Sequence, residues 1–145
     1  MGKRERNLGC LLGKTSRLIK WELNDKLKEH QLTSAQWRVL MDLRFQEEIE
    51  SSDTTPAQIA ERLNVERPAV TRTIDGLIKD DWVVREENLA DRRSHIIKLT
   101  EKSKEFMPRF KAISEKVMGK TLQGFQEEEI EQLRFFLIRI IDNFN

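Results

Sequence analysis

Between Thr55 and Lys79 the sequence specifies two short helices and leaves almost no chain to join them. Thr55-Pro56-Ala57-Gln58 is a helix start. Thr55 can accept the amide three residues on, Gln58 can reach back, and Pro56 takes the first helical position, where a missing N–H is tolerated. That helix should end near Leu63, Asn64-Val65-Glu66 forms a three-residue turn, and Pro68 sits in the first turn of a second helix reaching Lys79. With Ile59, Ala60, Leu63, Val65, Val70, Ile74 and Leu77 to bury, the pair fits a helix-turn-helix. A two-helix corner of any all-α protein would carry the same pattern.

The residues that follow tip the balance. Trp82–Glu86 and His95–Leu99 are short β-prone runs separated by a polar segment rich in Asp and Arg. They predict a hairpin with a basic tip, a wing attached directly to the second helix. Upstream, Leu8, Leu11, Leu12, Leu18, Ile19, Leu23 and Leu27 recur at helical spacing and predict a helix to about His30. Thr33 and Gln36 form a second capping box, opening a helix from Ser34 to about Gln46 that buries Trp37, Leu40 and Leu43. The polar stretch Glu47–Thr54 reads as a loop. Thr100 caps a long helix from Glu101 to about Gly119, and a last helix runs from near Gln126 to Phe144. Its apolar side carries Ile130, Leu133, Phe136, Leu137, Ile140, Ile141 and Phe144.

The expected fold is therefore mainly α with a small β wing. A winged helix-turn-helix (residues 34–100) is flanked by helical regions (1–33 and 101–145). A chain of 145 residues struggles to bury both terminal helices, and left exposed they form a large apolar patch. A homodimer built on them is the economical expectation, the alternative being that they pack on each other within one chain.

Composition excludes more than it assigns. The chain is 38% hydrophobic and 35% charged, and no apolar run approaches the ~18–20 residues of a membrane span. Met1-Gly-Lys-Arg-Glu-Arg lacks the apolar stretch of a secretory leader, and a single Cys precludes an internal disulfide framework, so a cytoplasmic location is expected. His30 and His95 are the only histidines, far apart in sequence, and there is neither a Gly-rich phosphate loop nor a nucleophile elbow. No catalytic residue, metal site, cofactor or enzymatic activity is expected.

The net charge of +1 does not announce a nucleic-acid partner, but its distribution is uneven. Residues 1–20 hold Lys3, Arg4, Arg6, Lys14, Arg17 and Lys20 against Glu5 alone, while Gln126–Glu131 is strongly acidic. From Pro56 to Thr100 the charges nearly cancel, so any DNA-binding surface there depends on placement.

The order of elements resembles the MarR family, and the nearest likeness is to its SlyA-like branch. The likeness runs from about Leu8 to Phe144. It is carried by Leu32-Thr33-x-x-x-Trp37-x-x-Leu40, Arg72-Thr73-Ile74-Asp75-x-Leu77 and Asp91-Arg92-Arg93-Ser94-x-Ile96-Ile97-Lys98-Leu99-Thr100. It implies a homodimer on pseudo-palindromic, AT-rich double-stranded DNA, often released by small anionic aromatics. Two positions depart from the pattern. Asp81 stands where the family has Gly ending the recognition helix, so that exit is expected to be reshaped. Ala69 replaces a more usual polar residue, removing a possible DNA donor.

A recognition helix enters the major groove by its N-terminal half, which presents Arg67, Pro68, Ala69, Thr71 and Arg72, with Arg72 placed for a guanine. Thr54 and Thr55 could hold a phosphate at the helix start before it. By resemblance, Asp91 orients Arg93 into the adjacent minor groove and Arg92 touches backbone. The resemblance also places an aromatic carboxylate effector near Arg17, Trp37, Arg72 and Thr73. Cys10 suggests a redox-sensing alternative, but peroxide sensors of this family couple the Cys to tyrosines and this chain has none. A buried or half-exposed structural Cys is expected instead. A winged helix used only for protein assembly is the rival from a different class.

Overall fold

Most of the helices start where a side chain takes over an amide that the helix cannot satisfy, the exception being the one that opens at Arg67 with Pro68 in its first turn. The computed structural model describes residues 7–145, so the basic Lys3, Arg4 and Arg6 lie outside the described residues. The helices are α1 (Leu8–Leu27, continued by a 3-10 turn to His30), α2 (Ser34–Glu48), α3 (Pro56–Leu63), α4 (Arg67–Lys79), α5 (Glu101–Thr121) and α6 (Glu127–Asp142). Both expected capping boxes form: Thr33 N–H donates to Gln36 Oε1 at 3.0 Å, and Thr55 N–H donates to Gln58 Oε1 at 3.0 Å. Asn7 caps α1 and Thr100 caps α5, each accepting the amide three residues on. Such caps are worth ~1 kcal/mol each.

α2, α3 and α4 form the centre of the molecule. Val39, Leu40, Leu43, Ile59, Val70, Ile74 and Leu77 pack into one apolar core with Leu27, Val83, Ile97 and Phe110. Arg62 of α3 pairs with Asp42 of α2 through two hydrogen bonds of 2.9 and 2.8 Å and also donates to the Asp53 carbonyl. α4 approaches α2 closely at Gly76, where a β-carbon would lie 3.1 Å from Gln36 Nε2.

The wing is a two-stranded antiparallel sheet, β1 (Val83–Glu87) and β2 (His95–Leu99), with Val83 opposite Leu99 and Glu87 opposite His95. Val83, Ile97 and Leu99 are buried, while Glu86 and Lys98 pair outward at 2.9 Å. The loop before α3 joins this sheet through one bond, Ile97 N–H to the Thr54 carbonyl at 3.0 Å.

The exit from α4 corrects the expectation for Asp81. It is not reshaped: Asp81 itself adopts the left-handed conformation, φ 63°. Asp81 N–H donates to the Ile78 carbonyl and Trp82 N–H to the Leu77 carbonyl, the pair of bonds that closes a Schellman motif. Buried Trp82 and Leu77 supply the accompanying apolar pair. Trp82 then meets the ring edges of Phe106 and Phe110, both with centroids 5.4 Å away, which anchors the wing on α5.

α1 rests on α5 at Leu23 and Leu27, with Glu22 reaching Lys120 at 3.1 Å. The first half of α1 leaves Leu8, Leu11, Leu12 and Leu18 exposed, and Trp21 is exposed beyond them. α6 extends farther still. Leu133, Phe135, Phe136, Leu137, Ile138, Ile140, Ile141 and Phe144 are all exposed, and among the described residues the helix makes no more than marginal contact with any other element of its own chain. The alternative in which the two terminal helices bury each other within one chain is therefore not what the structure adopts.

Candidate nucleic-acid interface

α4 buries Val70, Ile74 and Leu77, and this spacing turns Pro68, Arg72 and Lys79 outward. Arg67 and Pro68 in the first turn are exposed, whereas Ala69 and Thr71 are half-buried at the edges of the outward strip. Other nearby arginines are engaged: Arg62 by Asp42, and Arg85 by Asp75 of α4. Arg67 and Arg72 form no ion pair among the described residues, so their charge is available to an external anion. The Asp75–Arg85 bridge ties α4 to β1 and had no local sequence signal, because it joins residues on different elements.

At the wing tip the expected carboxylate–guanidinium pair is formed. Asp91 Oδ1 accepts Arg93 Nε at 3.1 Å and the Arg93 amide at 3.0 Å, while Oδ2 accepts Nη2 at 3.3 Å. The Arg93 side chain is nevertheless 92% exposed, against 43% for Asp91. The Arg93 guanidinium and then the Arg93 amide hold the Asp91 carboxyl below the usual carboxylate range. The turn is braced from within: Asn88 N–H₂ donates to Ser94 Oγ, and the Asn88 carboxamide oxygen accepts the Ala90 amide. Arg92 is exposed and only loosely paired with Glu87, at 3.7 Å.

Thr54 and Thr55 are a correction. They are only 4% and 9% exposed, and the Thr55 amide is already donated to Gln58. Neither is available to a phosphate as the chain stands. The capping box takes the Thr55 groups, and the bond to β2 draws Thr54 inward. What α3 does offer is the exposed first-turn residue Ala57, two positions beyond the cap.

The expected effector residues are differently placed. Arg17 is exposed on α1, its guanidinium folded back over Gly13. Trp37 is half-buried, with an indole N–H that is enclosed and has no hydrogen-bond partner. Thr73 donates its hydroxyl to the Ala69 carbonyl at 3.0 Å, and Arg72 points away from the core. Hydrogen bonding does not gather these four residues into one cluster. Cys10 is exposed, a correction to the buried or half-exposed position expected for it. Among the described residues, no group of three or more His, Cys, Asp or Glu could hold a metal, and no helix is long and apolar enough to cross a membrane.

A sequence model of the MarR family matches residues 32–95, which span α2 through the start of β2. The chain is 33% identical to the transcriptional regulator PA3341, covering 95% of this chain and 98% of that one, with a TM-score of 0.82. It is 28% identical to the transcriptional regulator SlyA, over 91% and 89% of the two chains, with a TM-score of 0.80. A cysteine-to-serine mutant of MarR from E. coli, solved in complex with operator DNA, is 25% identical over 92% of each chain, with a TM-score of 0.81.

Proposed function

Because this chain belongs to the MarR family of transcription regulators, we propose that it binds double-stranded DNA as a homodimer, at pseudo-palindromic AT-rich operators in the cytoplasm. Regulation of this kind is not enzymatic, and no residue is assigned a catalytic role. We place residues 34–100 on DNA and assign residues 1–33 and 101–145 to the dimer. Within the family, the motifs around Trp37, Arg72 and Asp91 favour the SlyA-like branch.

The Asp91–Arg93 pair carries this reading. An almost fully exposed guanidinium is held by a neighbouring carboxylate and by the turn that contains both. Holding it in advance lowers the ordering cost of inserting it into a groove. Narrow AT-rich minor grooves concentrate negative potential and favour such an arginine. Arg67, Pro68, Ala69, Thr71 and Arg72 face the adjacent major groove, with Arg72 on a guanine and Arg92 on backbone. Thr55 caps α3, and Thr54 ties the loop before it to β2.

An anisotropy titration on operator DNA at fixed salt tests this. Arg93→Ala should weaken binding by roughly 10–100-fold, the equivalent of ~1–3 kcal/mol of lost contact, while the fold is retained. Parent affinity should also fall steeply with salt. Unchanged affinity in the variant removes Arg93 from the interface. Parent affinity that is indifferent to salt favours the protein-assembly reading.

The same family membership supports an effector, a small aromatic carboxylate between the terminal helices and the winged helix. Trp37 would offer its ring and its unpartnered indole N–H, and Arg17 and Arg72 the cations. Thr73 could serve only as an acceptor while its hydroxyl remains on Ala69. A ligand that holds Arg72 withdraws it from DNA, giving negative coupling. Calorimetry with salicylate should show saturable binding that Trp37→Ala abolishes. No saturable heat with the parent protein rejects the pocket.

A further inference from the structure

At the start of α4 stands a carboxylate that the fold does not use. Glu66 occupies the N-cap position, but only its backbone carbonyl is engaged, accepting the Val70 amide at 3.2 Å. The threonines at the same position of α2, α3 and α5 each take the amide three residues on with their side chains. The Glu66 side chain makes no such bond. Pro68, two residues on, has no N–H to offer it. The side chain is exposed, and among the described residues it forms no ion pair, even with the adjoining Arg67.

A recognition helix turns its N-terminal end toward the base edges. An anion there is repelled by phosphates and loses water on docking, so it weakens binding unless a donor meets it. In the major groove the bases offer two donors, the N4 amino group of cytosine and the N6 amino group of adenine. Adenine N6 stands between two acceptors, its own N7 and O4 of the paired thymine. Cytosine N4 has one acceptor beside it, O6 of the paired guanine, and C5–H on its other side. A carboxylate carries only lone pairs and is therefore repelled less at cytosine.

We propose that Glu66 accepts a hydrogen bond from the N4 amino group of a cytosine and so fixes one C·G pair in each operator half-site. This rests on the DNA-binding reading given above. Arg67 adds attraction for any duplex, whereas Glu66 subtracts it from every sequence that lacks the cytosine.

Selection of sites from a random duplex pool by the parent, Glu66→Ala and Glu66→Gln tests this, followed by anisotropy titrations of base-substituted duplexes. The side chain bonds nothing in its own chain, so both variants should fold as the parent does. The parent should select cytosine at one position of each half-site and bind that duplex about tenfold tighter than its substituted forms. Glu66→Ala should lose that preference alone, and should bind the substituted duplexes as tightly as the parent or tighter. Glu66→Gln should gain adenine at that position, because a carboxamide suits N6 and N7 together. Replacing the cytosine by 2-pyrimidinone, which lacks the amino group, should weaken the parent more than Glu66→Ala.

Glu66 has no such role if Glu66→Ala keeps every base preference of the parent, or loses affinity equally on all duplexes. Equal losses on the 2-pyrimidinone duplex overturn it too. Weakened binding by Arg93→Ala beside an unchanged preference in Glu66→Ala removes Glu66 alone and leaves the DNA-binding reading standing. A parent with no salt-dependent DNA affinity overturns both. Should Glu66→Ala fail to fold, Glu66→Gln decides, and an unchanged base preference in it overturns the role.

Discussion

The Thr100 hydroxyl donates to the Asp81 carbonyl across 2.7 Å, joining the two ends of the wing although 19 positions separate them. Asp81 makes this bond from a left-handed backbone, φ 63°, in which an L side chain crowds the following carbonyl. Asp81→Gly relieves that crowding, and the extra freedom it gives the unfolded chain offsets part of the gain. The expected outcome is a rise in unfolding free energy of up to ~1 kcal/mol, with Asp81→Val falling by more than that. Urea denaturation of both variants checks it. A destabilised Asp81→Gly shows that the aspartate side chain itself supports the turn.

The Asp91 carboxyl is held below the usual carboxylate range by the Arg93 guanidinium first and the Arg93 amide second. For a group depressed in the folded state, the stabilisation is complete above its ordinary pKa and is lost as pH falls through the lowered one. The wing-tip fork therefore stays closed at neutral pH and opens only under acid conditions. Carbon-13 NMR titration should place the Asp91 midpoint lower in the parent than in Arg93→Ala. Identical midpoints show that the fork does not persist in solution.

The exposed apolar side of α6 gives a third prediction. Leu137→Glu adds a charge at a side chain that is 40% exposed in the isolated chain and far from its buried core, so the monomer fold should be little affected. Burying that charge in a dimer is costly. Light scattering should show the dimer dissociating at concentrations roughly tenfold or more above those for the parent, a loss of ~1.4 kcal/mol or greater. A parent that is monomeric, or a variant as dimeric as the parent, rejects α6 as the dimer surface.

Much of the architecture is legible because its signals are local. Thr33 with Gln36 and Thr55 with Gln58 lie three residues apart and need no distant partner to set a helix start. The β-prone runs of the wing and the apolar repeat of α6 are likewise patterns within one segment. What escaped the sequence depends on contacts between segments. Thr54 looks like a free polar residue until Ile97, far along the chain, takes its carbonyl and draws it inside. The Asp75–Arg85 bridge escaped for the same reason. The Asp81 turn escaped differently. The conformation was readable, but that the surrounding bonds would impose it on an aspartate was not.

Gly76 carries one more implication. Gln36 uses its side-chain oxygen to secure the first turn of α2, and its nitrogen lies against the spot where Gly76 has no side chain. One amide group thus serves as a spacer between the start of one helix and the back of the other. A side chain at position 76 would have to push that amide aside by a few tenths of an ångström, so the start of α2 and the seat of α4 against it depend on the same group.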